Sequence, residues 1–358
     1  MRALEFGWYL PTHGDTTAIG NPDASVDTSK GMLLNIIRSA EESGFEYILI
    51  PVTPTCWEAY VAGAYLVGQT RTIRPLIAAR PGYINPVLLA KMISTFDQLT
   101  EGRIAINLIA GQNEAEIRSD GITYAKEDRY ALMDEEVDIM KALWTAKGPL
   151  DHSGRFHTLK GATIVPGIYQ KPYPPFYLGG GSEEAAALSA KHSDVHLFWG
   201  DTPERIAQNI AHIRNLADAH GRRDAIGFGM RLQIICRETE AEAWSAARVL
   251  VAAGSDRGRD RIRRDTANSA ANRRVQELAS QAEMIGPALW TGVSRVRAGA
   301  GIAVVGNPEQ CAAQLQEFID AGCHSFCLSG YLHDQEARRF KALVRPLLAA
   351  RNADRMAA

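Results

Sequence analysis

Short apolar runs of strand type alternate with longer stretches of helical period along nearly the whole chain, and no other feature narrows its fold so much. The strand runs cover residues 3–10, 47–50, 73–79 and 103–109, then 175–178, 195–198, 225–236 and 325–328. Between the first four, residues 30–43, 58–68 and 86–99 place apolar side chains at helical spacing, and Leu99-Thr-Glu-Gly102 supplies a glycine stop. Strands that alternate with crossover helices form parallel βαβ units. Eight such units, closing near residue 350 with no GxGxxG after the first strand, predict an α/β chain folded as a closed (β/α)8 TIM barrel, not an open doubly wound sheet.

The chain has 358 residues, 46% hydrophobic and 22% charged, which suits one barrel domain over 1–358. Two segments interrupt the rhythm. Residues 147–174, rich in Gly, Pro and His, read as a short strand pair inserted beside the barrel. Residues 254–287 are polar and gather Arg257, Arg259, Arg261, Arg263, Arg264, Arg273 and Arg274 between the seventh and eighth strands. They read either as a mobile lid loop over a bound anion or as a solvated helical surface of alternating Arg and Asp, and both readings are compatible. Lys plus Arg is 39 against 41 for Asp plus Glu, a balance with no global pull toward nucleic acid or an anionic membrane. The start carries no signal-like apolar region, and no apolar run reaches the roughly 20 residues that a membrane span needs, so the expected location is cytoplasmic. Five cysteines without CxxC spacing read as reduced thiols, with no disulfide frame or zinc site.

Barrels carry their chemistry at the C-terminal ends of the strands, so the polar residues there matter most. His13, in Leu10-Pro-Thr-His-Gly-Asp15, reads as a donor to an oxyanion or as a plain loop residue. The prolines of Pro51-Val-Thr-Pro-Thr-Cys-Trp57 bring Cys56 back over the mouth, where a lone cysteine is equally a small buried filler. Ala78 and Ala79 end the third strand and leave room for a flat ring; Arg80, held extended by Pro81, points from its end. Asn107, Gln112 and Asn113 around Gly111 offer amides to a heterocycle.

Leu178-Gly-Gly-Gly-Ser-Glu-Glu184 opens a helix, so Gly180, Gly181 and Ser182 form either a phosphate cradle or an ordinary helix start. Arg231 and Gln233 share one face of the seventh strand; a buried Arg there calls for an anionic ligand or a nearby carboxylate. Trp199 ends the sixth strand, and Tyr331 and His333 follow the eighth. Arg297, before a glycine-rich turn, is a better candidate than Arg295 for folding inward, though a surface ion pair accounts for it equally. The mouth holds no clustered Asp/Glu/His metal set and the chain has no G-x-S-x-G elbow, so no metal site is expected and the hydrolase readings are weakened.

LPTHGD at the first strand, the Cys56 loop, DQLTEGRIAINLIAG from Asp97, QKPYPPFYLGGGS from Gln170, FWG at 198, LWTGVSRVRAGAG from Leu289 and SGYLH from Ser329 together resemble the bacterial luciferase-like flavin monooxygenases, and within them the alkanesulfonate monooxygenases. The resemblance spans residues 6–348. It implies a two-component system: a separate NAD(P)H-dependent FMN reductase supplies reduced FMN, and this chain uses it with O2 to split a small anionic organosulfur substrate at its C–S bond into sulfite and aldehyde. It also implies a homodimer or homotetramer. By motif, His13, Cys56, Trp199, Arg231, Arg297, Tyr331 and His333 resemble the family's active-site positions, with the arginines on the sulfonate. Tyr130, in Asp128-Arg-Tyr130, and Ser182 resemble its ligands for the FMN phosphate. The sequence departs at Gln233, where the alkanesulfonate enzymes generally have His, and the segment from 254 is shorter than usual. A neutral amide cannot carry a proton charge, which leaves open a related oxidation of a sulfone, thioether or carbon acid without sulfite release, and, in another class, a non-catalytic flavin- or anion-binding barrel.

Overall fold

The computed structural model describes residues 2–111 and 113–356, except the side chain of Asp256. Gln112, one of the amides singled out after the fourth strand, lies outside the described residues. Eight parallel strands close the barrel: β1 (Glu5–Tyr9), β2 (Tyr47–Ile50), β3 (Arg74–Ala79), β4 (Ala105–Leu108), β5 (Phe176–Gly179), β6 (Val195–Trp199), β7 (Gly227–Cys236) and β8 (Ser325–Ser329). Each pairs with the next, and β8 returns to β1 through Glu5↔Ser325 to Gly7↔Cys327. The closed (β/α)8 barrel expected from the alternating pattern is therefore the fold, with strand limits within two residues of those read from sequence.

The helices are α1 (Lys30–Glu42), α2 (Ala59–Val67), α3 (Pro86–Leu99), α4 (Glu114–Ser119), α5 (Lys126–Thr145), α6 (Glu183–His192), α7 (Pro203–Asp218), α8 (Glu240–Val251), α9 (Asp256–Asp265), α10 (Ala270–Gln281), α11 (Pro308–Asp320), α12 (His333–Arg339) and α13 (Arg345–Arg351). Local chemistry sets their ends. Asn85 accepts from Val87 N and Pro86 occupies the first turn of α3, whereas Glu101 (φ 52°) and Gly102 (φ 94°) turn the chain out of it. The helix buries Leu89, Ile93 and Phe96, each contributing about 1.5–3 kcal/mol by leaving water. Its buried Asp97 accepts from the amides of Tyr169 and Gln170 and from Gln170 Nε2 at 2.7–2.8 Å. Two of the recognisable motifs, around Asp97 and Gln170, are thus clamped to each other.

Side chains alternate across every barrel strand. Tyr9, Tyr47, Leu49, Leu76, Ala105, Tyr177, Val195, Leu197 and Cys327 fill the barrel's interior, while their neighbours pack outward against the helices in the main core. Residues 150–153 and 158–162 form an antiparallel hairpin. The stretch 254–287, polar enough to read as a loop, contains α9 and α10, started by Ser255 and Ser269 caps. Arg274 of α10 makes two hydrogen bonds to Asp201 just past β6, at 2.7 and 3.0 Å, which pins that helix to the barrel rim. The upper half of β7 pairs with residues 303–306, so the chain from α10 back to β8 also sits on the strand-end face. Among the described residues, no helix is long and apolar enough to cross a membrane.

Candidate active site

A cleft of about 250 Å³ opens at the C-terminal ends of the strands and has two chemically different ends. One is built from backbone. β5 runs into Gly179, Gly180 and Gly181, and Ser182 caps α6 by accepting from Ala185 N at 3.3 Å. A Cβ on Gly180 would lie 2.6 Å from the Ala185 methyl, and one on Gly181 would lie 3.2 Å from Ala271 N, so only glycine lets these strands of backbone approach. Ser182 Oγ donates to Tyr130 Oη at 3.5 Å. Tyr130 is aimed by its neighbour Arg129, whose guanidinium is buried and bonded to Glu114, Ala110 O and Tyr124 O. Residues 268–271, at the start of α10, complete this wall. Two helix N-termini, α6 and α10, therefore face the same space with free amides and favourable partial charge for an anion.

Between the two ends lie Ala78, Asn107, Ile109, Ala110 and Trp199. Ala78 faces the cleft as expected; Ala79 does not, because adjacent strand residues point oppositely and its methyl belongs to the outer core. Arg80 reaches the cleft wall but is engaged by Glu116, Val52 O and Tyr83 Oη.

The other end is built from side chains on β1, β7, β8 and the segment before residue 303. Arg231, 7% exposed, sits beside Trp199 in the β6–β7 register and lines the cleft. Its Nη1 donates to Leu232 O (3.0 Å), Ser329 Oγ (2.9 Å) and Cys327 O (3.4 Å). Arg297 also lines the cleft, with Nη1 donating to Tyr331 Oη at 2.6 Å and Nε to Ala298 O at 3.2 Å. Arg295 turns the other way, to Ala279 O. Burial lowers the Arg297 pKa, but the phenols of Tyr331 and Tyr9 outweigh it and the guanidinium stays above its ordinary value.

The remaining expected residues gather just behind. His333 is buried with Nδ1 2.9 Å from Asp15 Oδ1, and its backbone amide donates to Asp15 Oδ2 at 2.8 Å. Burial pushes the Asp15 carboxyl up, yet the imidazole and these hydrogen bonds prevail and hold it below the usual range. Tyr331 lies edge-on to His333, ring centroids 5.2 Å apart. His13 stands at the rim with Nδ1 3.9 Å from Cys56 Sγ, which in turn lies 3.1 Å from Thr53 Oγ1. Burial, then Arg297 and His333, pull the His13 imidazole down to about 4, so it is neutral near pH 7. Among these four, neither ring nor thiol lines the cleft wall itself.

Gln233 corrects the sequence reading. It does share a face with Arg231, but it is 1% exposed and both ends are taken: Oε1 accepts from Ser329 Oγ at 2.7 Å and Nε2 donates to Ala300 O at 3.1 Å. It ties the Arg297 segment to β8 and, through Ser329, to Arg231, and it touches no ligand space. Sequence reasoning also missed Tyr9, whose ring lies 4.7 Å beneath the Arg231 guanidinium and which lines the cleft. Its only sequence signal is a polar aromatic at the last position of an inward-facing strand. Elsewhere, Asp134, Asp138 and His192 approach one another outside the cleft, but Lys191 Nζ already serves both carboxylates at 2.7 and 2.8 Å.

Residues 4–325 match the model of the luciferase-like monooxygenase family. Solved structures agree on the fold: DmoA from Hyphomicrobium sulfonivorans is 18% identical, with a TM-score of 0.82 over 100% of this chain and 90% of that one. The EDTA monooxygenase EmoA from Chelativorans sp. BNC1 is 18% identical, with a TM-score of 0.78 over 98% and 94%. The coenzyme F420-dependent tetrahydromethanopterin reductase from Methanopyrus kandleri is 17% identical, with a TM-score of 0.69 over 97% and 99%. With nearly its whole length matched by the family model and every barrel strand in place, the chain belongs to the luciferase-like monooxygenases.

Proposed function

We propose that this chain is the oxygenase of a two-component system, in the alkanesulfonate monooxygenase subgroup, which uses FMNH2 and O2 to cleave the C–S bond of an organosulfonate. The observation that carries the reading is the pairing, in one cleft, of a glycine-and-helix cradle at one end with two guanidiniums at the other. Reduced FMN fits the first: Gly180, Gly181, Ser182 and Tyr130 would hold its phosphate, and Ala78 and Asn107 would border its ring. When bound, it supplies two electrons and activates O2. A separate NAD(P)H-dependent reductase delivers it.

The protein's part is binding and charge control. Arg231 and Arg297 would hold the sulfonate, fixed in direction by the hydrogen bonds already made by Nη1 of Arg231 and by Nη1 and Nε of Arg297. His13, neutral near pH 7, Tyr331 and the Asp15–His333 pair would orient the anion or carry protons beside it. The segment 254–287 would act as the lid, since the first turn of α10 already forms one wall. Overall, one oxygen atom of O2 ends in the aldehyde and the other in water, and sulfite leaves.

The test is product analysis. The chain, a flavin reductase, NADH, FMN and O2 are incubated with alkyl, aryl and sugar sulfonates. Sulfite with a matching aldehyde supports the reading. An oxygenated product without sulfite, from a sulfone, thioether or carbon acid, replaces it with the related oxidation.

A further inference from the structure

We infer that Tyr9 is a substrate-positioning and specificity residue whose phenol is the third donor to the anionic head, beside Arg231 and Arg297, so that the cleft selects a three-oxygen sulfonate over a planar carboxylate. The inference rests on the anion reading above and deepens it.

Tyr9 is the last residue of β1, buried in the barrel interior yet facing the cleft. The Arg231 guanidinium stacks 4.7 Å above its ring, and Arg297, which lines the same cleft, acts on its phenol through charge. The adjacent positive charge makes the phenol proton a better donor. Burial, opposed by Arg297 and Arg231, pushes the Tyr9 phenol up to about 12, so the proton is present throughout the neutral range.

Geometry then favours one head group. Arg231 comes from β7, Tyr9 from β1 and Arg297 from the segment before residue 303, three directions fixed independently by the barrel and by the Ser329–Gln233–Ala300 strut. A sulfonate presents three oxygens and can meet all three donors. A carboxylate holds its acceptor lone pairs close to one plane, so donors that arrive from three separate elements meet them at poorer angles, which costs free energy on binding.

The experiment is Tyr9→Phe, which removes one oxygen and keeps the ring under Arg231. It uses whichever sulfonate of the panel releases sulfite and the carboxylate of the same carbon chain as competitor. The expected result is a sulfonate KM about tenfold higher, as for loss of one hydrogen bond to a charged group. At the same time kcat stays within about twofold and reduced-FMN affinity is unchanged, and the preference for sulfonate over carboxylate shrinks. An unchanged KM and preference overturn the inference and leave Tyr9 as packing. Should Tyr9→Phe melt well below the parent, 3-fluorotyrosine at position 9 keeps the hydroxyl and sharpens it as a donor: tighter sulfonate binding supports the role, and unchanged binding overturns it. If the parent protein binds no sulfonate at all, the anion reading itself has failed. If the parent releases sulfite and Tyr9→Phe is silent, only the role of Tyr9 has failed.

Discussion

The two ends of the cleft are built by different means. The Gly180–Ser182 end presents backbone amides from two helix starts, and its geometry follows from a local run of glycines and a serine cap. The Arg231–Arg297 end presents long side chains from distant parts of the chain, held by the buried Ser329, Gln233 and Tyr9 and by the half-buried Tyr331. A backbone site is rigid and indifferent to everything except what crowds it. A side-chain site can be tuned, and it fails when any support is removed.

Substitutions should separate the two. The largest effect is expected at Arg231→Ala, which removes a buried cation and strands the acceptors on Leu232, Cys327 and Ser329. Steady-state assays should show kcat/KM lower by about a thousandfold, with reduced FMN still bound. Gly180→Ala works in the opposite sense. Its methyl would press on Ala185 and displace the start of α6, so equilibrium titration should show reduced-FMN affinity weakened by roughly thirtyfold while the sulfonate KM holds. If both variants lose both ligands equally, the cleft does not have two independent ends.

A smaller effect should come from Gln233→His, which installs the residue common in the sulfonate enzymes. One imidazole cannot match both Ser329 Oγ and Ala300 O as the amide does, so kcat/KM should fall by about fivefold, the loss of one neutral hydrogen bond. A new pH dependence near 6–7 should appear with it. The smallest concerns the back of the cradle. His196 Nε2 lies 3.2 Å from Gly180 O, and burial drives its imidazole down to about 4. The unfolded chain therefore binds more protons than the folded one between pH 6.5 and 4, and stability contributed by neutral His196 is lost as the pH falls through that window. Lowering the pH from 7 to 5.5 should cost about 1 kcal/mol through this group, and His196→Gln should flatten that part of a thermal-melting pH series.

These differences also explain what the sequence disclosed. Parallel strands buried on both faces are continuous apolar runs, so all eight were legible to within two residues, and the Ser182-capped start of α6 was legible because glycines and a cap are local signals. Ala79 was misplaced beside Ala78 because a run of two alanines does not say which one faces inward. Gln233 was placed on the right face, yet its partners Ser329 and Ala300 come from other segments, and only their arrival shows that the amide is already satisfied. Tyr9 gave no signal as an aromatic in an apolar strand, because the cations beside it, Arg231 and Arg297, come from distant segments. The helices inside 254–287 were one of two readings of that segment, and their limits were not legible because alternating Arg and Asp carry little apolar periodicity.

The most direct test is a crystal structure of the chain with FMN and an alkanesulfonate bound. The account predicts phosphate oxygens within hydrogen-bond reach of the Gly181 and Ser182 amides and Tyr130, and sulfur between Arg231 and Arg297 with one oxygen on Tyr9. Sulfur density at any other place, or a phosphate held by Arg231 and Arg297, would contradict it.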